Sequence, residues 1–225
     1  RYAAWESVAR KLAHEIKNPL TPIQLSIDRL KEKYSQHIKV GKMDFEKYLE
    51  TINRQIKDIE NLVNEFSNFA RMPSPVTRNI DLKLVVIRAV DFIKMSSKNT
   101  IQFKSKNENY FLNIDEEQMY RVFINLIKNS EESFLEKKAN NPHFKGIIDI
   151  EIDKNNDYIF IRFVDNGTGI ADTKKVMTPY FTTKKTGTGL GLAIVSKIIN
   201  EHSGDFNISN NNSAGINITI SLPSL

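Results

Sequence analysis

Two long stripes of apolar residues at helical spacing occupy the first third of this 225-residue chain. Val8, Leu12, Ile16, Leu20, Ile23, Ile27, Leu30 and Tyr34 recur three or four positions apart, which predicts one face of an amphipathic helix over residues 3–36. His37 to Met43 contains Gly41 and is expected to turn, and Asp44 is expected to cap a second helix. The second stripe is Phe45, Tyr48, Leu49, Ile52, Ile56, Ile59, Val63, Phe66 and Phe69, sustained for about seven turns. Two such helices with a short loop form an antiparallel hairpin. A lone hairpin leaves one apolar face of each helix bare. Two copies would close a four-helix bundle, so a homodimer is expected; packing against the rest of the same chain is the alternative.

Met72-Pro73-Ser74-Pro75 ends the helical pattern, because proline imposes extended backbone on itself and its predecessor. This divides the chain into a hairpin (1–72), a linker (73–77) and a second domain (78–225). In the second domain, helices are expected at 82–95, from Asp115 and at 190–201. Asp115-Glu-Glu-Gln118 has capping-box spacing. Strands are expected at 100–104, 110–113, 147–153 and 158–164, the last two turning at Asn155-Asn156. A threonine- and glycine-rich loop covers 166–187, and a final hairpin pairs 204–209 with 215–222 through a turn at 210–214. The fold class is therefore α+β, a helical hairpin followed by an α/β sandwich. The remaining totals exclude rather than select. With 32 basic and 27 acidic residues the net charge is +5, but the basic residues are scattered, so nucleic-acid binding is not supported. There is no cysteine, hence no disulfide or thiol chemistry. No apolar run reaches the ~18–20 residues of a membrane span.

Four constellations carry chemistry. In the first helix His14 lies about 200° from Leu12 and from Ile16, so its imidazole is expected on the solvent face, where a neutral ring can act as a nucleophile. Glu15 is adjacent and able to accept a ring proton. Asn18 is on the same face one turn later, and Pro19 and Pro22 remove the helical partners of the Glu15 and Asn18 carbonyls. Two such interruptions beside an exposed His-Glu pair point to an adaptable backbone at a working site. In the helix from Asp115, Asn125 and Asn129 are one turn apart, opposite the core face of Met119, Val122, Phe123, Leu126 and Ile127. Their side-chain oxygens can converge on a hard cation such as Mg²⁺, or simply be solvated. Val164-Asp165-Asn-Gly167-Thr-Gly169-Ile170 ends a strand with a carboxylate able to accept from an exocyclic amino group. Its glycines permit close approach to a flat ring, although Asn-Gly also serves in plain turns. Gly187-Thr-Gly189-Leu190-Gly191 opens a helix whose N–H groups can cradle phosphate. It follows no clear strand of a βαβ unit and lacks a Gly-Lys-Ser/Thr ending, which argues against dinucleotide and P-loop sites.

Taken in order, these segments resemble the motifs of two-component sensor histidine kinases. His14-Glu15-x-x-Asn18-Pro19 resembles the phospho-acceptor box. Asn125-Leu-Ile-Lys-Asn129 resembles the N box, Asp165-x-Gly167-x-Gly169 the G1 box, and Pro179-Tyr-Phe181-Thr182-Thr-Lys184-Lys185 the F box. Gly187-Thr-Gly189-Leu190-Gly191 resembles the G2 box. The run from Trp5 to Ser26 is similar to the nitrogen-regulation, NtrY-type branch. The resemblance spans about residues 1–222. It implies a GHKL (Bergerat) ATP-binding fold, ATP and Mg²⁺ as cofactors, and Mg²⁺ held by Asn125 and Asn129. Asp165 would recognise adenine, with Thr219 as a further base-side candidate, and the loop 167–187 would form a lid from which Lys184 or Lys185 reaches the γ-phosphate. It further implies autophosphorylation of His14 with Glu15 as base or orienter, transfer to an aspartate of a response regulator, and regulator dephosphorylation through Asn18. Where the family often has a basic residue three positions after the second asparagine, this chain has Glu132. The chain opens at Arg1 inside a helical pattern, so it is expected to be the cytoplasmic portion of a longer, inner-membrane sensor. The alternatives are a nucleotide-binding pseudokinase scaffold and a GHKL ATPase machine of the gyrase or Hsp90 kind.

Overall fold

A computed structural model describes residues 2–170, 190–211 and 214–224, with side chains from Lys11 onward. The chain divides between Pro73 and Ser74 into two compact units. The first is a helical hairpin of α1 (Tyr2–Tyr34) and α2 (Lys42–Ala70). Pro19 and Pro22 lie inside α1 without ending it. Asp44 is not the cap of α2. The helix begins at Lys42 after Gly41, whose φ of 78° turns the chain in a conformation glycine adopts at no steric cost, and whose carbonyl accepts the Phe45 N–H at 3.0 Å. Asp44 sits instead in the first turn, where its charge suits the helix dipole.

The apolar stripes separate into two heptad series. Ala13, Leu20 and Ile27 of α1 and Leu49, Ile56 and Val63 of α2 are buried against one another inside the hairpin. A polar pair sits between these layers, with Gln24 Nε2 donating to Asn53 Oδ1 at 2.9 Å. The second series, Ile16, Ile23 and Leu30 with Ile52 and Ile59, remains 38–45% exposed. The sequence stripe placed these residues in a common core; within a single hairpin only half of that core is closed.

The second unit is an α/β sandwich. Strands β2 (Thr100–Ser105), β4 (Ile147–Lys154), β5 (Tyr158–Asp165), β7 (Ile216–Pro223) and β6 (Asp205–Asn210) form a five-stranded sheet in the order β2-β4-β5-β7-β6. Only β2 and β4 run parallel. The strands alternate: Ile148, Ile150, Ile152, Ile159, Ile161, Phe163, Ile218, Ile220 and Leu222 are buried on one face. Helices α3 (Leu82–Lys94), α4 (Glu116–Asn140) and α5 (Gly191–Glu201) supply the facing apolar residues. A separate antiparallel pair joins β1 (Arg78–Asp81) to β3 (Phe111–Ile114). The sequence pattern did not foresee β1, a four-residue strand with a single apolar side chain.

Two acidic caps lock this unit. Asp81 Oδ1 accepts the Lys83 N–H at 3.1 Å, capping α3, and the Tyr110 N–H at 2.9 Å. Asp115 Oδ1 accepts the Gln118 N–H at 3.0 Å, as the capping-box spacing predicts, and its Oδ2 accepts the Val76 N–H at 2.9 Å. The backbone N–H of Asp115 donates to His202 Nε2 at 3.0 Å, so the ring proton resides on Nδ1 and donates to the Ile198 carbonyl at 2.8 Å. His202 thereby ties the start of α4 to the end of α5. Tyr110, fully buried, donates its hydroxyl to the Ile152 carbonyl and accepts the Asn107 N–H, both at 2.9 Å. Tyr110→Phe strands both partners and is expected to destabilise the second unit by about 1–3 kcal/mol, read as a lower urea midpoint in circular dichroism.

Candidate functional site

In the hairpin, His14, Glu15 and Asn18 are exposed on α1, while their neighbours Ala13 and Leu20 are buried. The expected orientation of the imidazole therefore holds. Glu15 pairs with Lys11 at 4.0 Å with both side chains largely in solvent, a contact of little energetic weight that leaves the carboxylate available as an acceptor. One turn beyond Pro22, the hydroxyl of Ser26 donates to the Pro22 carbonyl at 2.8 Å.

In the second unit the arrangement is built around Asp165, 3% exposed at the end of β5. A buried carboxylate is costly unless hydrogen-bonded, and three donors surround this one. Oδ1 accepts the N–H groups of Gly167 at 2.9 Å and Ile216 at 3.1 Å, and Oδ2 accepts the hydroxyl of Ser130 at 2.5 Å. The glycines around it are sterically required. A Cβ on Gly167 would lie 2.2 Å from Ser133 Oγ, and one on Gly215, whose φ is +83°, would lie 2.1 Å from the Asp165 carbonyl oxygen. Gly169, at φ +77°, precedes Ile170, whose N–H and C=O are both held by the amide of Asn210 at 2.8 and 2.7 Å.

Asn125 and Asn129 project from α4 toward the start of α5. Asn125 Nδ2 donates to the Arg121 carbonyl at 2.8 Å, which fixes which amide atom faces outward. A Cβ on Gly191 would stand 3.4 Å from Asn129 Oδ1 and 3.6 Å from Asn125 Oδ1, so both amides approach the first residue of α5. Leu190 is fully buried, and its carbonyl accepts the Ile194 N–H at 2.9 Å. The structure thus gathers Asn125, Asn129, Leu190 and Gly191 at one place, and Asp165, Gly167 and Gly169 at the adjoining end of β5. Phe181, Thr182, Lys184, Lys185, Gly187 and Gly189 lie outside the described residues.

Thr219 is a correction. It pairs with Arg162 and Asn207 and is exposed on the open face of the sheet, whereas Asp165 shares the helix-covered face with Phe163, the partner of Ile218. Side chains alternate along a strand, so Thr219 points away from the Asp165 carboxylate it was expected to accompany. The sequence reasoning also missed Ser130, Ser133, Lys137, Asn210 and Gly215. Polar residues on a helix and single residues in a turn give no periodic signal, and their partners are remote in sequence.

Residues 4–75 match the His Kinase A (phospho-acceptor) domain model, and residues 114–225 match the histidine kinase-, DNA gyrase B- and HSP90-like ATPase model. The chain belongs to the histidine kinase family. It is 40% identical to an NtrY-like sensor histidine kinase of Rickettsia felis, over 98% of this chain and 36% of that protein. It is 36% identical to the nitrogen regulation protein NtrY of Azorhizobium caulinodans, over 93% of this chain and 27% of that protein. The chain thus spans about a third of the length of these relatives. Its fold is that of the solved histidine kinase ThkA in complex with the response regulator protein TrrA, with a TM-score of 0.67 and 21% identity over 97% of this chain and 61% of that one. The expected two-part architecture, helical hairpin then GHKL sandwich, holds.

In the second unit Gly215→Ala and Gly169→Ala both place a side chain at positive φ, but only the first drives a Cβ into backbone. Gly215→Ala is expected to cost about 2–3 kcal/mol and Gly169→Ala about 1 kcal/mol, measured as the difference in thermal unfolding of the two variants.

Proposed function

We propose that this chain is the phosphotransfer and catalytic portion of a sensor kinase, which phosphorylates its own His14 from ATP and passes the phosphoryl group to an aspartate on a response regulator. The observation that carries this is the convergence of Asn125 and Asn129 on Gly191 in the unit that also buries a hydrogen-bonded Asp165. Asp165 accepts an N–H of the adenine amino group and fixes the base. The first turn of α5 offers backbone N–H groups to phosphate oxygens. The donor set of Asn125 and Asn129, two amide oxygens one helical turn apart, fits Mg²⁺, which takes a few protein oxygens and completes its shell with water and phosphate. Bound there, the ion would offset charge on the triphosphate. The lid residues Lys184 or Lys185 act on the γ-phosphate.

Within the hairpin, a ring nitrogen of His14 attacks the γ-phosphorus, the bond to the β–γ bridging oxygen breaks, and ADP leaves with that electron pair. Glu15 takes or orients the proton on the other ring nitrogen. The phospho-imidazole is then the donor to the regulator, consistent with the ThkA complex, whose partner is a response regulator protein. Asn18 positions water for the reverse, phosphatase activity. The exposed series of Ile16, Ile23, Leu30, Ile52 and Ile59 supports a homodimer closing a four-helix bundle. No helix among the described residues is long and apolar enough to cross a membrane.

Incubation with Mg-ATP labelled at the γ-phosphate is expected to give acid-labile, base-stable label that is absent from His14→Gln. Nucleotide binding without label on the unaltered protein would make the chain a scaffold instead. For the bundle, Ile23→Lys with Ile52→Lys is expected to shift the sedimenting species from dimer to monomer while the melting of the second unit stays unchanged. A variant that still sediments as a dimer would place the interface elsewhere.

A further inference from the structure

Along α4, Ser130, Ser133 and Lys137 follow one another at spacings of three and four residues and share one face. Each grips a different part of the segment leaving β5. Ser130 Oγ, with no exposed surface, donates to Asp165 Oδ2 at 2.5 Å. Ser133 Oγ accepts the Thr168 N–H at 2.7 Å. Lys137 Nζ donates to the carbonyls of Asn166 at 2.7 Å and Gly167 at 3.2 Å, and lies over the Phe144 ring. Asn129 immediately precedes Ser130, so one rigid helix carries both the metal-binding amides and the grip on the base-side carboxylate.

The acceptor count of Asp165 makes Ser130 more than a brace. A carboxylate offers about four lone-pair positions. Oδ1 is filled by two backbone N–H groups, and Oδ2 receives the Ser130 hydroxyl. Among the described residues, one position is left. The single hydroxyl proton has a second possible acceptor, the Leu126 carbonyl at 3.3 Å, but the 2.5 Å contact to the carboxylate is much the shorter and stronger.

We infer that Ser130 is a positioning residue for base recognition: by filling one acceptor position of Asp165 it leaves a single directed acceptor, and so sets the preference for a purine bearing a 6-amino group. This rests on the assignment of adenine recognition to Asp165. Without the hydroxyl the carboxylate has two open positions on Oδ2 and one fewer restraint on its rotation, so the amino group meets a less directed partner.

The test is calorimetric titration of the full chain with ATP and with purine riboside triphosphate, which lacks the 6-amino group. The unaltered protein is expected to prefer ATP by about tenfold or more, the worth of one hydrogen bond to a charged group. Ser130→Ala is expected to cut that preference to roughly a third or less while its affinity for the desamino analogue stays within about twofold. Lys137→Met loses the carbonyl contacts but leaves the acceptor count of Asp165 intact, so it is expected to weaken both nucleotides by one factor. Equal weakening of both nucleotides by Ser130→Ala would reduce Ser130 to a structural brace and overturn the inference. An unaltered protein that does not distinguish the two nucleotides would instead overturn the role of Asp165, and with it that of Ser130. Should Ser130→Ala fail to fold, Ser130→Cys preserves the packing with a much weaker donor, and the same two ratios decide.

Discussion

The buried carboxylate of Asp165 imposes the strictest demand on the second unit. Its charge lies at the edge of an apolar core, and the cost of placing it there is offset only if several donors reach it at once. That demand fixes the surrounding chain. Gly167 must pass close to Ser133, Gly215 must turn at positive φ against the Asp165 backbone so that Ile216 N–H can reach Oδ1, and Ser130 must lie on the inner side of α4. The end of β5, the turn into β7 and the middle of α4 are therefore interdependent, although they are far apart in sequence.

Helix α4 is the common support. Its start is fixed by Asp115, whose carboxylate caps the helix and holds Val76, and whose backbone N–H is taken by His202 at the end of α5. Its middle presents Asn125 and Asn129 to the first residue of α5, and its later turns hold the segment after β5. Parts contributed by remote segments thus hang on one helix.

The hairpin follows a different logic. About half of its apolar heptad positions are buried within one chain, and the others are left exposed. The same alternation puts His14 outside. A residue next to buried Ala13, on a helix whose inner side is already committed, stays open to reagents in solution. Pro19 and Pro22 remove backbone donors one to two turns beyond His14 without breaking the helix. The local backbone is thus loosened while the axis that presents the imidazole is kept.

Much of this was legible in the chain itself. Helical periodicity, the Pro73–Pro75 break, the Asp115 cap, the Asn155 turn and the order of the motif segments are local properties, fixed by the spacing and chemistry of neighbouring residues. They sufficed for the two-part architecture, for the exposed His14 and for the family. Other features depend on contacts between remote segments. Strand β1 exists because β3 pairs with it, Thr219 faces away because strand parity runs from the register of β5 with β7, and Gly41 displaced Asp44 as the start of α2. Ser130, Ser133, Lys137 and Gly215 gained roles only when α4 was laid against the end of β5. Sequence determined which side chains are available for chemistry, since reactivity belongs to the side chain. Tertiary structure decided which of them meet, since only the packed fold sets which donors a buried carboxylate can reach and which apolar faces are left uncovered.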